Sequence, residues 1–283
     1  MKATIAKLMT TDKQARILYM DNTFMMRELI GERPIHPLCA EALAASFTLS
    51  SLVCGLLKDG QRLSIRIDTS VPSAYIHCDV DSEGNVRGYA SDTFIKQKPV
   101  TIPELIGDKG VIRITKDIGM GAMYTSAVDM PHANITDDFS HFFLQSEQVE
   151  TFFRYDYGTD KNGNVAFSRG MLFQLLPFAG NGLFEKWASR MDESREKFRT
   201  ASLPMDPQTL NTLFPDADVM EFGTVRLFCG CSKDALIGLL FGLGMEELNQ
   251  AIDKNQEIEI ACSTCGKTYV YNSRDLLALM GKG

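Results

Sequence analysis

Between residues 37 and 57 the chain carries one charged side chain, Glu41, among leucine, alanine, valine, phenylalanine, cysteine and a few hydroxyls. A helix here is apolar all round, and such a helix must be covered all round. Its most apolar part, residues 42–57, is sixteen residues long. That is short of the roughly 20 a membrane helix needs, and Ser46, Thr48, Ser50 and Ser51 interrupt it. The stretch predicts the central buried helix of a layered domain, with no membrane association.

The flanking sequence supplies the layers. Strand patterns occur at 16–20, 63–68, 73–80, 85–90, 111–115, 123–129, 149–157 and 165–176, and a second helix at 135–145. Asp81-Ser82-Glu83-Gly84 makes a hairpin turn, Gly119 and Gly121 mark another, and Gly163-Asn164 a third. Many strands, hairpins and few helices predict an α+β fold, with a mixed sheet layered around the buried helix over residues 1–178.

Residues 179–226 change character. Charged residues crowd 183–199, with Phe184, Trp187, Ala188, Met191 and Phe198 spaced along one helical face. Asp206-Pro207 reads as a helix start, cap then first-turn proline, and Pro204 and Pro215 bracket that helix. The pattern fits a surface helical connector. It equally fits a conditionally stable linker, whose narrow apolar stripe needs a neighbour to dock on. The second reading expects Phe184, Trp187 and Met191 to dock on the N-terminal sheet.

Residues 227–283 form a unit too short for a strong core, and such units usually need a staple such as a metal. Four of the seven cysteines lie here, as Cys229-Gly230-Cys231 and Cys262-Ser263-Thr264-Cys265, thirty residues apart. No apolar run at the N-terminus is long enough for a signal peptide, so the expected compartment is the cytoplasm, where thiols stay reduced. Clustered cysteines there mean metal or redox chemistry. Gly266 gives the tight turn of a knuckle between alternating strands at 257–260 and 268–271. The first pair precedes a helix from about Asp234, with Ser232 as cap. Two close pairs suit a tetrahedral Zn²⁺ on Cys229, Cys231, Cys262 and Cys265, with a rubredoxin-type iron centre as competitor.

Sulfurs around zinc stand about 3.8 Å apart, whereas a disulfide needs about 2.05 Å. Oxidising any pair therefore removes two ligands at once. Structural zinc contributes roughly 10–16 kcal/mol, which in a small unit is folding energy. Such a site can be a plain structural knuckle or a redox switch, and spacing does not choose between them.

Longer motifs add to this reading. Phe228-Cys229-Gly230-Cys231-Ser232 and Cys262-Ser263-Thr264-Cys265-Gly266-Lys267-Thr268-Tyr269 stand at the C-terminus. Upstream are Gly84-Asn85-Val86-Arg87-Gly88-Tyr89, Phe142-Phe143-Leu144-Gln145-Ser146-Glu147-Gln148 and Gly170-Met171-Leu172-Phe173-Gln174-Leu175-Leu176-Pro177. In this order, over essentially the whole chain, they resemble the heat shock protein 33 family of redox-regulated chaperonins. Two departures stand out. Arg169 replaces a frequent glycine and is expected to stiffen a turn. Ser263 and Thr264 replace an acidic and an aromatic residue.

The resemblance implies an ATP-independent holdase, not an enzyme, that is inactive while reduced and zinc-bound. It implies disulfides Cys229–Cys231 and Cys262–Cys265 on oxidation, zinc release, unfolding of the C-terminal unit and linker, binding of unfolded client proteins, and a homodimer in the oxidised form. No GxxxxGK[ST] nucleotide loop is present.

The other polar candidates read as structural. Cys78 and His77 point to opposite faces of one strand. Cys39 and Cys54 fill space in the buried helix. His36, His132 and His141 lack ligand spacing to the cysteine pairs, Asp137-Asp138 is first-turn charge, and Gly107, Gly110, Gly119 and Gly121 are turn glycines. Two rivals remain. A zinc-ribbon nucleic-acid regulator needs a basic face, and the net charge of -7 opposes it. A thiol oxidoreductase needs its CxxC at a helix N-terminus, whereas this one lies between strands.

Overall fold

The computed structural model describes residues 2–31, 34–118, 122–193, 195–199 and 205–281. The expected turn at Gly119 and Gly121 and the breaker Pro204 lie outside these residues. The chain divides into two compact units, Met1–Leu227 and Phe228–Gly283.

The first unit runs β1 (Lys2–Thr10), β2 (Ala15–Asp21), α1 (Thr23–Ile30), α2 (Pro37–Cys54), β3 (Arg62–Asp68), β4 (Tyr75–Asp81) and β5 (Asn85–Ala90). It continues with α3 (Asp92–Ile95), α4 (Ile102–Ile106), β6 (Val111–Asp117), β7 (Met123–Asp129) and α5 (Ile135–Phe142). β8 (Thr151–Thr159), β9 (Val165–Leu175), α6 (Leu183–Glu193), α7 (Arg195–Arg199), α8 (Pro207–Leu213) and β10 (Ala217–Leu227) complete it. Ten strands make one sheet in the order β7-β6-β3-β4-β5-β10-β1-β2-β9-β8. Only β5 and β10 run parallel, so the sheet is mixed and the fold α+β, as expected.

Fifteen of the eighteen residues of α2 are buried. Three of its four hydroxyls survive there by bonding back along the helix: Ser46 Oγ to the Ala42 carbonyl at 2.8 Å, Thr48 Oγ1 to Ala44 at 2.7 Å and Ser51 Oγ to Phe47 at 2.6 Å. By length and composition α2 could cross a membrane, but the protein itself covers it.

One end of the sheet is covered on both faces. Leu18, Met20, Phe153 and Leu172 point into the core around α2. Their strand neighbours Ile17, Tyr19, Phe152, Met171 and Phe173 point the other way, into a second core closed by Trp187, Met191, Phe198, Leu210, Leu213 and Phe214. Period-two geometry sends successive side chains to opposite faces, so a doubly covered strand reads as an unbroken apolar run. Trp187 stacks on Phe173 at 5.4 Å, and Phe184 packs beside it, so the docking expected for this stripe is observed.

Several expectations are corrected. Residues 179–226 are not helical throughout: β10 closes the segment as a strand inserted between β5 and β1. Its alternation is weak because Met220 and Phe222 put apolar side chains at exposed positions and a bulge opposite Lys7 and Leu8 shifts its register. Its partner β1 is likewise a strand that sequence patterning did not show. Arg169 stiffens no turn; it lies within β9 and pairs across to Asp21. The helix expected at 135–145 changes at Phe143 into a π-helical turn (Phe143–Glu147), ended by Gln148 with φ 56°.

The Gly84–Tyr89 motif acquires a physical reason. Gly84 has φ 78°, and a Cβ there would meet the Thr224 carbonyl oxygen of β10 at 2.1 Å. Asn85 donates to Asp81 Oδ2 at 3.0 Å and accepts from Arg226 Nε at 2.7 Å, so the hairpin also receives β10. Gly84→Ala is expected to cost about 2–3 kcal/mol. It should appear as a lower urea midpoint at constant m-value; an unchanged midpoint would show that β10 yields without strain.

The second unit comprises α9 (Lys233–Leu236), a 3-10 turn (Ile237–Leu243), α10 (Met245–Asp253), β11 (Ile258–Ala261), β12 (Thr268–Tyr271) and α11 (Ser273–Leu279). Leu240, Leu248, Ala251, Tyr271 and Leu276 are its buried core.

Candidate metal centre

β11 and β12 pair antiparallel, Ile258 opposite Tyr271 and Ala261 opposite Thr268. The ribbon closes through Cys262, whose N–H donates to the Lys267 carbonyl at 2.9 Å. Gly266, with φ 72°, donates its N–H to the Cys262 carbonyl at 2.8 Å. This left-handed turn aims Cys262 and Cys265 to one side. The first pair sits just before α9, where Ser232 Oγ caps the Ala235 N–H at 3.0 Å, as expected.

All four Sγ atoms lie within 4.8 Å of one another. Cys229 to Cys262 is 3.9 Å and Cys231 to Cys265 is 3.5 Å. Every cysteine is a free thiol. The separations match sulfurs sharing a tetrahedral ion, about 3.8 Å, and exclude a bond at about 2.05 Å. Among the described residues no other cysteine, histidine and carboxylate cluster has metal-site geometry.

Two tyrosines hold the first pair against the ribbon. Tyr269 Oη donates to the Cys231 carbonyl at 3.0 Å and lies 3.3 Å from its Sγ. Tyr271 Oη donates to the Lys233 carbonyl at 2.6 Å, and Lys233 Nζ pairs with Asp275 at 2.6 Å. Sequence reasoning used both tyrosines only as strand residues. Their i, i+2 spacing, which places both on one face of β12, was the available signal.

The thiols differ. Burial pushes Cys262 up, but the N–H groups of Thr264 and Cys265 and its sulfur neighbours outweigh that and bring it down to about 7. Burial pushes Cys229 and Cys265 up. One thiolate thus forms readily and its neighbours resist ionising beside it, an imbalance that a divalent cation would relieve. Cys262 is 5% exposed and the other three are partly open to solvent.

The remaining candidates sit apart from this cluster. Burial pushes Cys39 up to about 11 and Cys54 to about 12, and drives Cys78 well above the usual thiol range, so all three are poor nucleophiles. His77 faces Asp79 at 3.4 Å, away from buried Cys78. His132 and His141 pack edge to face at 5.7 Å, a pairing that spacing did not reveal. Asp137 and Asp138 occupy the first turn of α5, as expected. In the second unit acidic residues outnumber basic ones, seven to five, which opposes a nucleic-acid face.

The Hsp33 protein family model matches residues 4–272. The chain is 24% identical to the 33 kDa chaperonin of Bacillus licheniformis, covering 97% of this chain and 98% of that one. It is 25% identical to the 33 kDa chaperonin of Desulforamulus reducens, covering 99% and 98%. The crystal structure of the 33 kDa chaperonin from Thermotoga maritima is similar in fold, with TM-score 0.81 at 20% identity, covering 99% of this chain and 98% of that one.

Proposed function

Because this chain belongs to the Hsp33 family, we propose that it is a molecular chaperone, an ATP-independent holdase whose client binding is switched on by oxidation of its four C-terminal cysteines. The observation that carries this reading is the gathering of four free Sγ atoms within 4.8 Å on a unit whose hydrophobic core, among the described residues, is the cluster Leu240, Leu248, Ala251, Tyr271 and Leu276.

Cys229, Cys231, Cys262 and Cys265 would hold Zn²⁺ as thiolates. When bound, the ion supplies positive charge that keeps the sulfurs ionised and a four-point cross-link that the small core lacks. The protein's own part is to orient these sulfurs: Gly266 turns the second pair, and Tyr269 and Ser232 fix the first. Oxidation by a peroxide balances simply. Each pair of thiolates would give up two electrons to one peroxide, which takes two protons from solvent, forming one disulfide and two waters. A disulfide draws two sulfurs to about 2.05 Å and ends their service as ligands. The pairings proposed are Cys229–Cys231 and Cys262–Cys265; peptide mapping separates them from the crosswise Cys229–Cys262 and Cys231–Cys265.

The second unit then unfolds, and the docked segment from α6 to α8 leaves the apolar face formed by Ile17, Tyr19, Phe152, Met171 and Phe173. Unfolded proteins bind, and the oxidised chain dimerises. The working compartment is the cytoplasm, and client binding needs no catalytic residue. The chaperone core is residues 1–178 together with β10, 179–216 is the linker, and the switch begins at Phe228.

The test is zinc content and suppression of client aggregation, before and after peroxide at heat-shock temperature. One zinc per chain when reduced, released as holdase activity appears, is the expected result. Zinc that stays bound, or activity indifferent to peroxide, would make the site a plain structural knuckle.

A further inference from the structure

Apolar contacts hold α6 and α7 on the sheet, but the hydrophobic effect is non-directional and does not choose a register. The charges around those contacts do. In the strand registers Asp21 of β2 stands opposite Arg169 of β9, and Arg169 opposite Asp156 of β8. Three charges of alternating sign thus form one row across three strands. Arg169 is 6% exposed, and its Nε donates to Asp21 Oδ2 at 2.8 Å. The fourth member comes from α7: Arg195 Nε donates to Asp156 Oδ1 at 3.0 Å.

Two residues away on the same face of β8, Arg154 donates from Nε and Nη2 to both carboxylate oxygens of Asp192, at 2.7 and 3.1 Å. The strand therefore offers arginine then aspartate at i, i+2, and the helical segment answers with aspartate then arginine at i, i+3. A reversed segment would set like charges together, and one slipped by a turn would leave these charges without their opposites. Arg169 Nη1 also donates to the Phe198 carbonyl, near the end of α7, where a helix leaves carbonyls unsatisfied.

We propose that the row Asp21–Arg169–Asp156–Arg195, with Arg154–Asp192 beside it, is a charge-coded clasp that fixes the register of α6 and α7 on the sheet, and that Arg169 is the positioning residue tying down the end of α7. The clasp bears on activity only through the linker release argued above, but it is testable without any chaperone assay. Asp192 and Arg195 are each 59% exposed, so salt screens their pairs. Docking strength then depends on ionic strength as well as on the thiols.

The test is hydrogen exchange over 183–199 in the reduced, zinc-loaded full chain. Asp192→Arg and Arg195→Asp should each speed exchange there on the order of tenfold. Pairing Asp192→Arg with its partner reversal, Arg154→Asp, should restore protection to within about twofold; Asp156 is left unchanged because Arg169 stands opposite it. Arg169→Gly should free the end of α7, and Arg169→Lys should recover part of the protection. Wild-type exchange in the single reversals, or an Arg154→Asp/Asp192→Arg double no better protected than Asp192→Arg alone, would overturn the clasp and leave docking purely apolar. If the strand variants fail to fold, Asp192→Arg and Arg195→Asp answer alone, because both side chains are largely outside the core. A holdase assay that failed would overturn the proposed function and leave this exchange result intact.

Discussion

Cys265→Ser, or chelation of the reduced protein, is expected to abolish hydrogen-exchange protection throughout 228–281 and to leave α2 and the ten-stranded sheet protected. The second unit is a separate compact body whose buried core is Leu240, Leu248, Ala251, Tyr271 and Leu276. A core that small rarely supplies more than about 3–5 kcal/mol. With zinc held as proposed, removing one ligand would forfeit much of the roughly 10–16 kcal/mol that structural zinc contributes, and the balance would turn unfavourable. Protection should fall by on the order of a thousandfold or more, to that of an open chain. Cys78→Ser is the control, because Cys78 is buried in the first unit beside α2. A unit that kept its protection in excess chelator would show that β11, β12 and their helices stand without metal, and would remove the physical basis of the switch.

Trp187→Ala is expected to release α6 while zinc stays bound. Trp187 is 4% exposed and stacks on Phe173 at 5.4 Å, with the Arg190 guanidinium 5.4 Å from its ring. Truncating a buried tryptophan costs about 3–5 kcal/mol. α6 has eleven residues and α7 five, below the roughly 12–15 at which an isolated helix is even marginal. Undocked, the segment should melt. Tryptic cleavage at Lys186 and Arg190 should then rise about a hundredfold, the factor that corresponds to about 3 kcal/mol, with one zinc per chain retained. The proposed function adds that this variant suppresses aggregation without oxidant. Unchanged cleavage would mean that Met191, Phe198 and the flanking ion pairs suffice to hold the segment.

What was legible beforehand depended on how local each signal was. The buried helix could be read because one charge in twenty-one residues leaves no face for water. Strands at 85–90 and 123–129 could be read because turn residues precede them in the sequence, Asp81–Gly84 before one and Gly119 with Gly121 before the other. The four-cysteine cluster was the most legible feature, since each half is a pair of cysteines separated by one or two residues with its turn glycine or cap alongside. β1 and β10 escaped for a common reason. Each is stabilised chiefly by the other, across more than two hundred residues, with Lys2 opposite Arg226 and Thr10 opposite Ala217. Arg169 was misplaced because a strand covered on both faces hides a charge whose partners, Asp21 and the Phe198 carbonyl, come from elsewhere in the chain.

The sequence by itself determined which residues can bind a metal, that the N-terminal part must wrap a helix, and that 183–199 carries one narrow apolar stripe. These are properties of neighbours along the chain, set by periodicity and side-chain chemistry. Only the tertiary structure decided that β10 enters the sheet between β5 and β1, that Tyr269 bonds to Cys231 and Tyr271 to Lys233 just after it, and that Arg154 and Asp156 meet Asp192 and Arg195 thirty-eight and thirty-nine residues away. Contacts of that separation depend on sheet order, and sheet order follows from how all ten strands together cover two cores.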